Sequence, residues 1–159
     1  MAIEVRDAVA SDSQVIFDFI IELAIYEKEP DAVKTTVEET REKIFGKDST
    51  VKALICEENG KAIGHAIYFY NYSTWLGKNG IYLEDLYVTE SKRNQGAGKA
   101  MLKHLAQKAV KEGCGRFEWS CLDWNTPSRK FYESIGAISL DEWVGYRLQG
   151  DSLISFANS

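Results

Sequence analysis

Residues Ile81 to Leu105, IYLEDLYVTESKRNQGAGKAMLKHL, decide how the chain folds. Ile81–Val88 concentrates β-branched and aromatic residues, which predicts a strand. A polar turn, Thr89–Lys92, follows, and then Arg93-Asn94-Gln95-Gly96-Ala97-Gly98. Beyond it, Ala100, Met101, Leu105 and Ala109 recur at helical spacing. A strand that feeds a glycine-rich turn opening a helix presents unpaired backbone N–H groups and the positive end of a helix dipole, which suits a phosphate. Gly96 and Gly98 let the backbone approach an anion closely, and Arg93 adds a fixed positive charge. The spacing is neither that of the dinucleotide fingerprint nor that of the GxxxxGK[ST] phosphate loop.

Outward from this stretch the elements alternate. Ile3–Arg6 reads as a short strand, and Ser11-Asp12-Ser13-Gln14 as a capping box opening a helix with an apolar stripe at Val15, Phe19, Leu23 and Tyr26. Glu27–Val33 is a charged linker with Pro30. A second box, Thr36–Glu39, starts a helix that Gly46 ends. Val51–Cys56 and Ala62–Tyr70 read as strands around the hairpin signal Asn59-Gly60, and Tyr72–Lys78 as a loop. The helix after the glycine-rich turn runs to Glu112 and is capped by Gly113; Arg116–Cys121 follows as a strand. Thr126 is the expected N-cap of a further helix, with Pro127 at its first position and Gly136 as its stop. Ile138–Leu140 and Trp143–Leu148 read as two final strands. The expectation is one α/β domain over residues 1–159, a mixed sheet flanked by helices.

Composition narrows the function. With 159 residues, 45% hydrophobic and 27% charged, the chain has the make-up of a globular protein. It has no apolar run long enough for a membrane span and no apolar signal core at its start, so no membrane partner and a cytoplasmic location are expected. A net charge of −5 argues against a nucleic-acid partner and suits a cationic substrate. Cys56, Cys114 and Cys121 lack CxxC spacing and read as reduced thiols, and His65 and His104 are too scattered for a metal site, so no metal is expected.

About thirty residues beyond the glycine-rich turn stands Asn125-Thr126-Pro127-Ser128-Arg129-Lys130-Phe131-Tyr132, closed by Gly136-Ala137. Arg93-x-x-Gly96-x-Gly98 and this second motif, in this order, resemble the acetyl-CoA loop and the Asn-x-x-Ser/Ala-x-x-Phe-Tyr helix of the GCN5-related N-acetyltransferases, the GNAT superfamily. The resemblance implies their acyl-CoA N-acyltransferase fold and direct transfer of acetyl from acetyl-CoA to an amine, without a covalent enzyme intermediate. It implies that the backbone of Leu86, Tyr87 and Val88 pairs with the pantetheine arm. Arg93, Asn94, Gln95, Gly96, Ala97, Gly98 and Lys99 would hold the diphosphate, with Asn125 and Ser128 on the other side. The N–H near Leu86 is a candidate oxyanion donor. A primary amine has a free pKa of about 10.4 and must lose a proton. Glu84 is the implied base, through water, and Tyr132 the implied general acid at the thiolate. Period-2 alternation would set Glu84 and Asp85 on opposite faces.

Glu22-Leu23-Ala24-Ile25-Tyr26-Glu27, Tyr68-Phe69-Tyr70, Trp75-Leu76-Gly77-Lys78 and Tyr82-Leu83-Glu84-Asp85 resemble, more narrowly, the diamine/polyamine N-acetyltransferases. Tyr72–Trp75 and Leu122–Asn125 are most similar to their thialysine Nε-acetyltransferase branch. The implied amine pocket takes Tyr26, Glu27, Ser73, Thr74, Trp75, Glu84, Asp85, Glu118, Trp119, Ser120 and Glu142, with Ser73 and Thr74 placed to bind a substrate carboxylate. Polyamines are the alternative substrate, and a protein amine or an idle acyl-CoA binder the remoter ones. After Tyr132 the chain has Glu133-Ser134-Ile135 where the vertebrate polyamine enzymes carry a basic run. The resemblance also implies a homodimer that exchanges C-terminal strands.

Overall fold

The computed structural model describes residues 2–159, which fall into two compact units, one running to Ser120 and one from Cys121 to Ser159. The first unit is built on a five-stranded sheet in the order β1-β2-β3-β4-β5, with β1 Ile3–Asp7, β2 Lys52–Glu58, β3 Lys61–Ser73, β4 Lys78–Val88 and β5 Arg116–Trp119. The first four strands pair antiparallel and β5 runs parallel to β4. Helix α1 (Ser13–Tyr26) and helix α2 (Val37–Phe45) close one face over Ile16, Ala53, Ile55 and Ile67. Helix α3 (Ala97–Lys111) buries Met101, Leu102, Leu105 and Ala109. The mixed sheet with flanking helices is the fold the motifs imply.

Local chemistry explains most boundaries. Asn59 and Gly60 both adopt positive φ, 52° and 79°, the backbone a tight two-residue hairpin between β2 and β3 needs. Thr36 caps α2, its Oγ1 accepting from the Glu39 N–H at 3.1 Å. The box expected at Ser11–Gln14 does not form. Asp12 instead accepts from the Val9 N–H at 2.7 Å and from Arg6 Nη1 at 2.8 Å, so its carboxylate serves a short 3₁₀ turn and an ion pair. The α1 stripe also shifts: Ile16 and Phe19 are buried, whereas Tyr26 is exposed.

Two departures shape the site. β3 runs on through Ser73 and β4 begins at Lys78, so the expected loop at Tyr72–Lys78 contracts to a turn over residues 74–77. And the β3–β4 register slips: Ile67 pairs with Asp85 but Tyr68 pairs with Leu83, leaving Glu84 as the extra residue of a bulge. The simple alternation expected of Glu84 and Asp85 is therefore broken where those carboxylates stand. Strand β5 ends at Trp119, short of the expected Cys121.

The second unit carries α4 (Thr126–Ser134) and α5 (Gly150–Ala157). Asn125, not Thr126, is the N-cap of α4, and Gly136 at φ 94° stops the helix while the Ala137 N–H reaches back to Tyr132 O at 3.1 Å. The two strands expected at Ile138–Leu140 and Trp143–Leu148 are absent, and α5 is an element the sequence reading missed. Strand propensity at Ile138, Trp143, Val144 and Tyr146 is real, but a strand needs a neighbour to pair with. Among the described residues this segment has none, and these side chains stay exposed. Cys56, Cys114 and Cys121 are free thiols, as read from their spacing.

Candidate active site

Pairing between β4 and β5 covers Gly80 to Leu83 and stops there. Beyond Leu83 the β5 side of β4 is an open edge. The Thr89 N–H donates to Ile63 O at 2.8 Å, so alternation along the ladder turns the peptide groups of Leu86 and Val88 away from β3 and toward that edge. An open stretch of strand offers hydrogen bonds to an extended ligand chain, as in strand addition. Tyr87, one residue out of phase, turns inward, where it is buried beside Phe19 with ring centroids 5.6 Å apart.

The glycine-rich turn follows directly. Gly96 sits at φ 92° as the residue before α3, and Asn94 also takes positive φ, 63°. The first amides of α3 have no acceptor within the helix, while the Ala100 N–H closes the first turn on Gly96 O at 2.9 Å. A Cβ built on Gly98 would meet nothing within 4 Å. The protein's own packing therefore does not demand glycine there, and a side chain in this space would obstruct only what approaches from outside. Exposed backbone donors with clear space above them fit an anionic, extended cofactor such as acetyl-CoA.

Three carboxylates gather at the other end of the open edge. Burial, with Glu84 and Glu27 adding repulsion in that order, pushes Asp85 up to about 6. Glu27, at the end of α1, is also raised by burial. Glu84 is exposed on the bulge. A half-buried carboxyl that titrates near neutrality, beside two further acids, can take a proton from a cation and hold the remaining charges by attraction.

A cleft of about 710 Å³ opens beside this edge, lined by Glu22, Tyr26, Tyr87, Thr89, Glu90 and Arg93 among others. Glu22 and Glu90 were not singled out from sequence. For Glu22 the signal was available, since it lies one helical turn before Tyr26 on α1. Arg93 does not extend toward the exposed amides of the turn. Its Nε donates to Val88 O at 2.9 Å, and its guanidinium stacks over the Tyr26 and Tyr87 rings, 4.6 and 5.4 Å from their centroids.

The remaining expected site residues have local surroundings of their own. Ser73 is buried, its Oγ accepting from the Leu76 N–H at 3.2 Å to cap the turn; Thr74 is exposed and Trp75 is 91% exposed. On β5, Glu118 pairs with Arg116 Nε at 2.8 Å and accepts from Asn71 Nδ2 at 3.3 Å. Ser120 Oγ lies 2.8 Å from the Tyr82 hydroxyl, and the Trp119 ring packs 5.0 Å from Phe117. In the second unit the buried Asn125 accepts from the Ser128 N–H at 3.4 Å, so this motif asparagine has a capping duty of its own. Tyr132 is half-buried near the end of α4, its ring 5.7 Å from Phe131, and Glu142 is exposed. Asn125, Ser128 and Tyr132 are spaced to lie along one side of α4.

An open strand edge, a glycine-rich turn with free amides at a helix N-terminus and an acidic cluster thus stand together in the first unit. Residues 18–137 match the acetyltransferase (GNAT) family, and the chain belongs to that family. Its chemistry is therefore acetyl transfer, for which the family generally draws on acetyl-CoA. Among curated relatives, the chain is 35% identical over 164 aligned positions to the thialysine N-epsilon-acetyltransferase of Sus scrofa, covering 96% of each chain. It is 34% identical to the human spermidine/spermine N(1)-acetyltransferase-like protein 1, covering 97% of this chain and 24% of that one. Among solved structures, an integron cassette protein from the mobile metagenome of V. cholerae superposes with a TM-score of 0.84 at 29% identity, covering 100% of this chain and 99% of that one.

Proposed function

We propose that the chain transfers acetyl from acetyl-CoA directly to the primary amine of a small lysine-like substrate, with thialysine as the model acceptor and the Nε-type amine as the reacting group. The observation that carries this reading is the open edge of β4, which runs from the acidic cluster at Glu84-Asp85 to the exposed amides of the Gly96–Lys99 turn. Near-full-length likeness to thialysine enzymes supports the acceptor class.

Acetyl-CoA, when bound, supplies an acetyl thioester whose leaving group is a thiolate. Leu86 and the Val88 N–H offer strand-like hydrogen bonds to its arm, and the amides of residues 94–99 take the diphosphate, with Asn125 and Ser128 assigned to it by the family motif. The ammonium of the substrate is drawn to Glu27, Glu84 and Asp85 and loses its proton there. Glu84 is the base the resemblance implies; the more buried Asp85, raised to about 6, is the second candidate for the same proton. Tyr132 returns a proton to the thiolate. Of the two hydroxyls assigned to a substrate carboxylate, Ser73 is buried and Thr74 is exposed, which leaves Thr74 as the more available.

Polyamine acetylation is the second reading, favoured by the acidic cluster, which suits an acceptor with several positive charges. The net charge of −5 supports a small cationic partner rather than a nucleic acid. No helix among the described residues is long and apolar enough to cross a membrane, and a cytoplasmic location is part of the proposal. So is a homodimer, which the unpaired, exposed run Ile138, Trp143, Val144 and Tyr146 favours. Sedimentation that finds only monomers at micromolar concentration refutes the dimer. Acetyl-dependent release of CoA with thialysine or lysine tests the activity, and no release with any small amine, with acetyl-CoA still bound, removes it.

A further inference from the structure

Arg93 closes a ring of contacts between two elements that serve different substrates. Glu22 and Tyr26 stand one turn apart on α1, the helix whose end presents Glu27 to the acidic cluster. Tyr87 belongs to β4, the strand whose open edge meets the cofactor. The Tyr87 hydroxyl donates to Glu22 Oε1 at 3.1 Å. The Arg93 guanidinium lies over both the Tyr26 and Tyr87 rings, 4.6 and 5.4 Å from their centroids, and its Nε–H binds Val88 O at 2.9 Å. Helix α1, Arg93 and β4 are thereby fastened to one another at the lip of the cleft.

The bond to Val88 O matters for a second reason. Val88 presents its carbonyl to the open edge, where a pantetheine amide would otherwise compete for it, and Arg93 has already taken it. A guanidinium that spends its Nε–H on a backbone carbonyl and its faces on aromatic rings is committed by geometry to those partners. An ammonium on a lysine stem has neither the planar face nor the fixed fork. A nearby loop anchor is of a different kind: Lys92 Nζ pairs with the buried Glu58 at 2.5 Å and holds the turn down on the β2 end.

We propose that Arg93 is a positioning residue, clamping the amine-side end of α1 to the cofactor-side edge of β4, and not a ligand of the cofactor's diphosphate. It sets the spacing between Glu27 and Asp85 on one side and the thioester-bearing edge on the other. This rests on the acetyl-transfer reading of the same site, and the two can fail separately.

The test uses the full-length protein, with Arg93→Met and Arg93→Lys, two acetyl donors and a binding measurement. Calorimetry with CoA needs no acceptor: affinity in Arg93→Met stays within about threefold of wild type if the residue is a clamp. A fall of about tenfold or more makes it a diphosphate ligand and overturns the proposal. In turnover, both variants lose about tenfold or more in kcat/KM, with the amine KM rising more than the acetyl-CoA KM. The same fold-loss appears with S-acetylpantetheine, a donor that has no diphosphate. A loss seen with acetyl-CoA that vanishes with S-acetylpantetheine, or full rescue by Arg93→Lys, also overturns it. Tyr26→Leu removes one ring and leaves the arginine charge in place, so it tests the clamp even if the Arg93 variants fold poorly. It should reproduce the rise in amine KM; an unchanged amine KM counts against the clamp.

Discussion

Lowering the pH from about 6.5 to about 4.5 charges an exposed histidine but not His65. This residue lies on β3, fully buried, edge-on to Phe19 with ring centroids 5.3 Å apart, and opposite Tyr87 in the register. Neither ring nitrogen has a hydrogen-bond partner, and burial lowers its pKa from the ordinary 6.5 to about 3. The folded-state value is depressed, so the unfolded chain takes the proton first. The stabilisation is complete above the unfolded pKa and is lost as pH falls from 6.5 toward 3. Each pH unit inside that window costs about 1.4 kcal/mol, and the interval from about 6.5 to about 4.5 costs about 2 kcal/mol from this group alone. Other groups titrate over the same range. Asp85, for instance, has a folded pKa raised to about 6, so its contribution has the opposite sign: present at low pH and lost as pH rises through 6. Such groups cancel in a comparison with His65→Leu, which keeps a similar apolar volume and carries no titratable nitrogen. Urea unfolding followed by tryptophan fluorescence at both pH values should show the wild type losing about 2 kcal/mol more than the variant, roughly 1 M in midpoint. Parallel losses, within about 0.5 kcal/mol, would refute the reasoning, because a histidine that costs nothing to protonate is not buried neutral in this core.

Other outcomes follow from the site. Asp85→Asn should remove an acidic limb near pH 6 from the pH–rate profile, whereas Glu84→Gln should keep that limb but move it to lower pH, because Glu84 repulsion helps to raise Asp85; a limb untouched by Asp85→Asn excludes Asp85 as its origin. Gly98→Ala meets no protein atom, so it should hold or raise thermal stability by up to about 1 kcal/mol while weakening CoA binding about tenfold. Unchanged CoA affinity would mean that the space above Gly98 is not cofactor space. Tyr132→Phe should lower turnover by about 10²-fold with little change in amine affinity, and turnover equal to wild type would dismiss the hydroxyl as the acid.

What the sequence made legible was local. The strand at Ile81–Val88, the turn at Gly96 and the helix behind it all follow from spacing and backbone demand, as does the Asn59-Gly60 hairpin. The bulge at Glu84 was not legible, because a register slip is set by how β3 lies against β4, and nothing within residues 81–88 encodes it. The contacts of Arg93 within the protein were not legible for a similar reason. Its charge is readable, but the rings of Tyr26 and Tyr87 that capture it come from a helix and a strand brought together only by the fold. Ser73 is a third case: its hydroxyl is buried and its oxygen accepts from the Leu76 N–H in a turn that exists only because β3 runs longer than its sequence pattern. At the C-terminus the β-branched pattern of residues 138–148 met no partner strand, and the short amphipathic α5, with Leu153, Ile154 and Phe156 exposed, lacked the length that makes a helix stand out.

The central claim is that this acetyltransferase acts on a lysine-like amine, and the most direct measurement is a competition. Thialysine and spermidine, together at equal concentration with acetyl-CoA and the wild-type protein, give the ratio of their kcat/KM values from the two acetylated products. The account predicts a clear excess of acetylated thialysine, about tenfold or more. An excess of acetylated spermidine would contradict it, and would make the acids at Glu27, Glu84 and Asp85 the whole basis of acceptor choice.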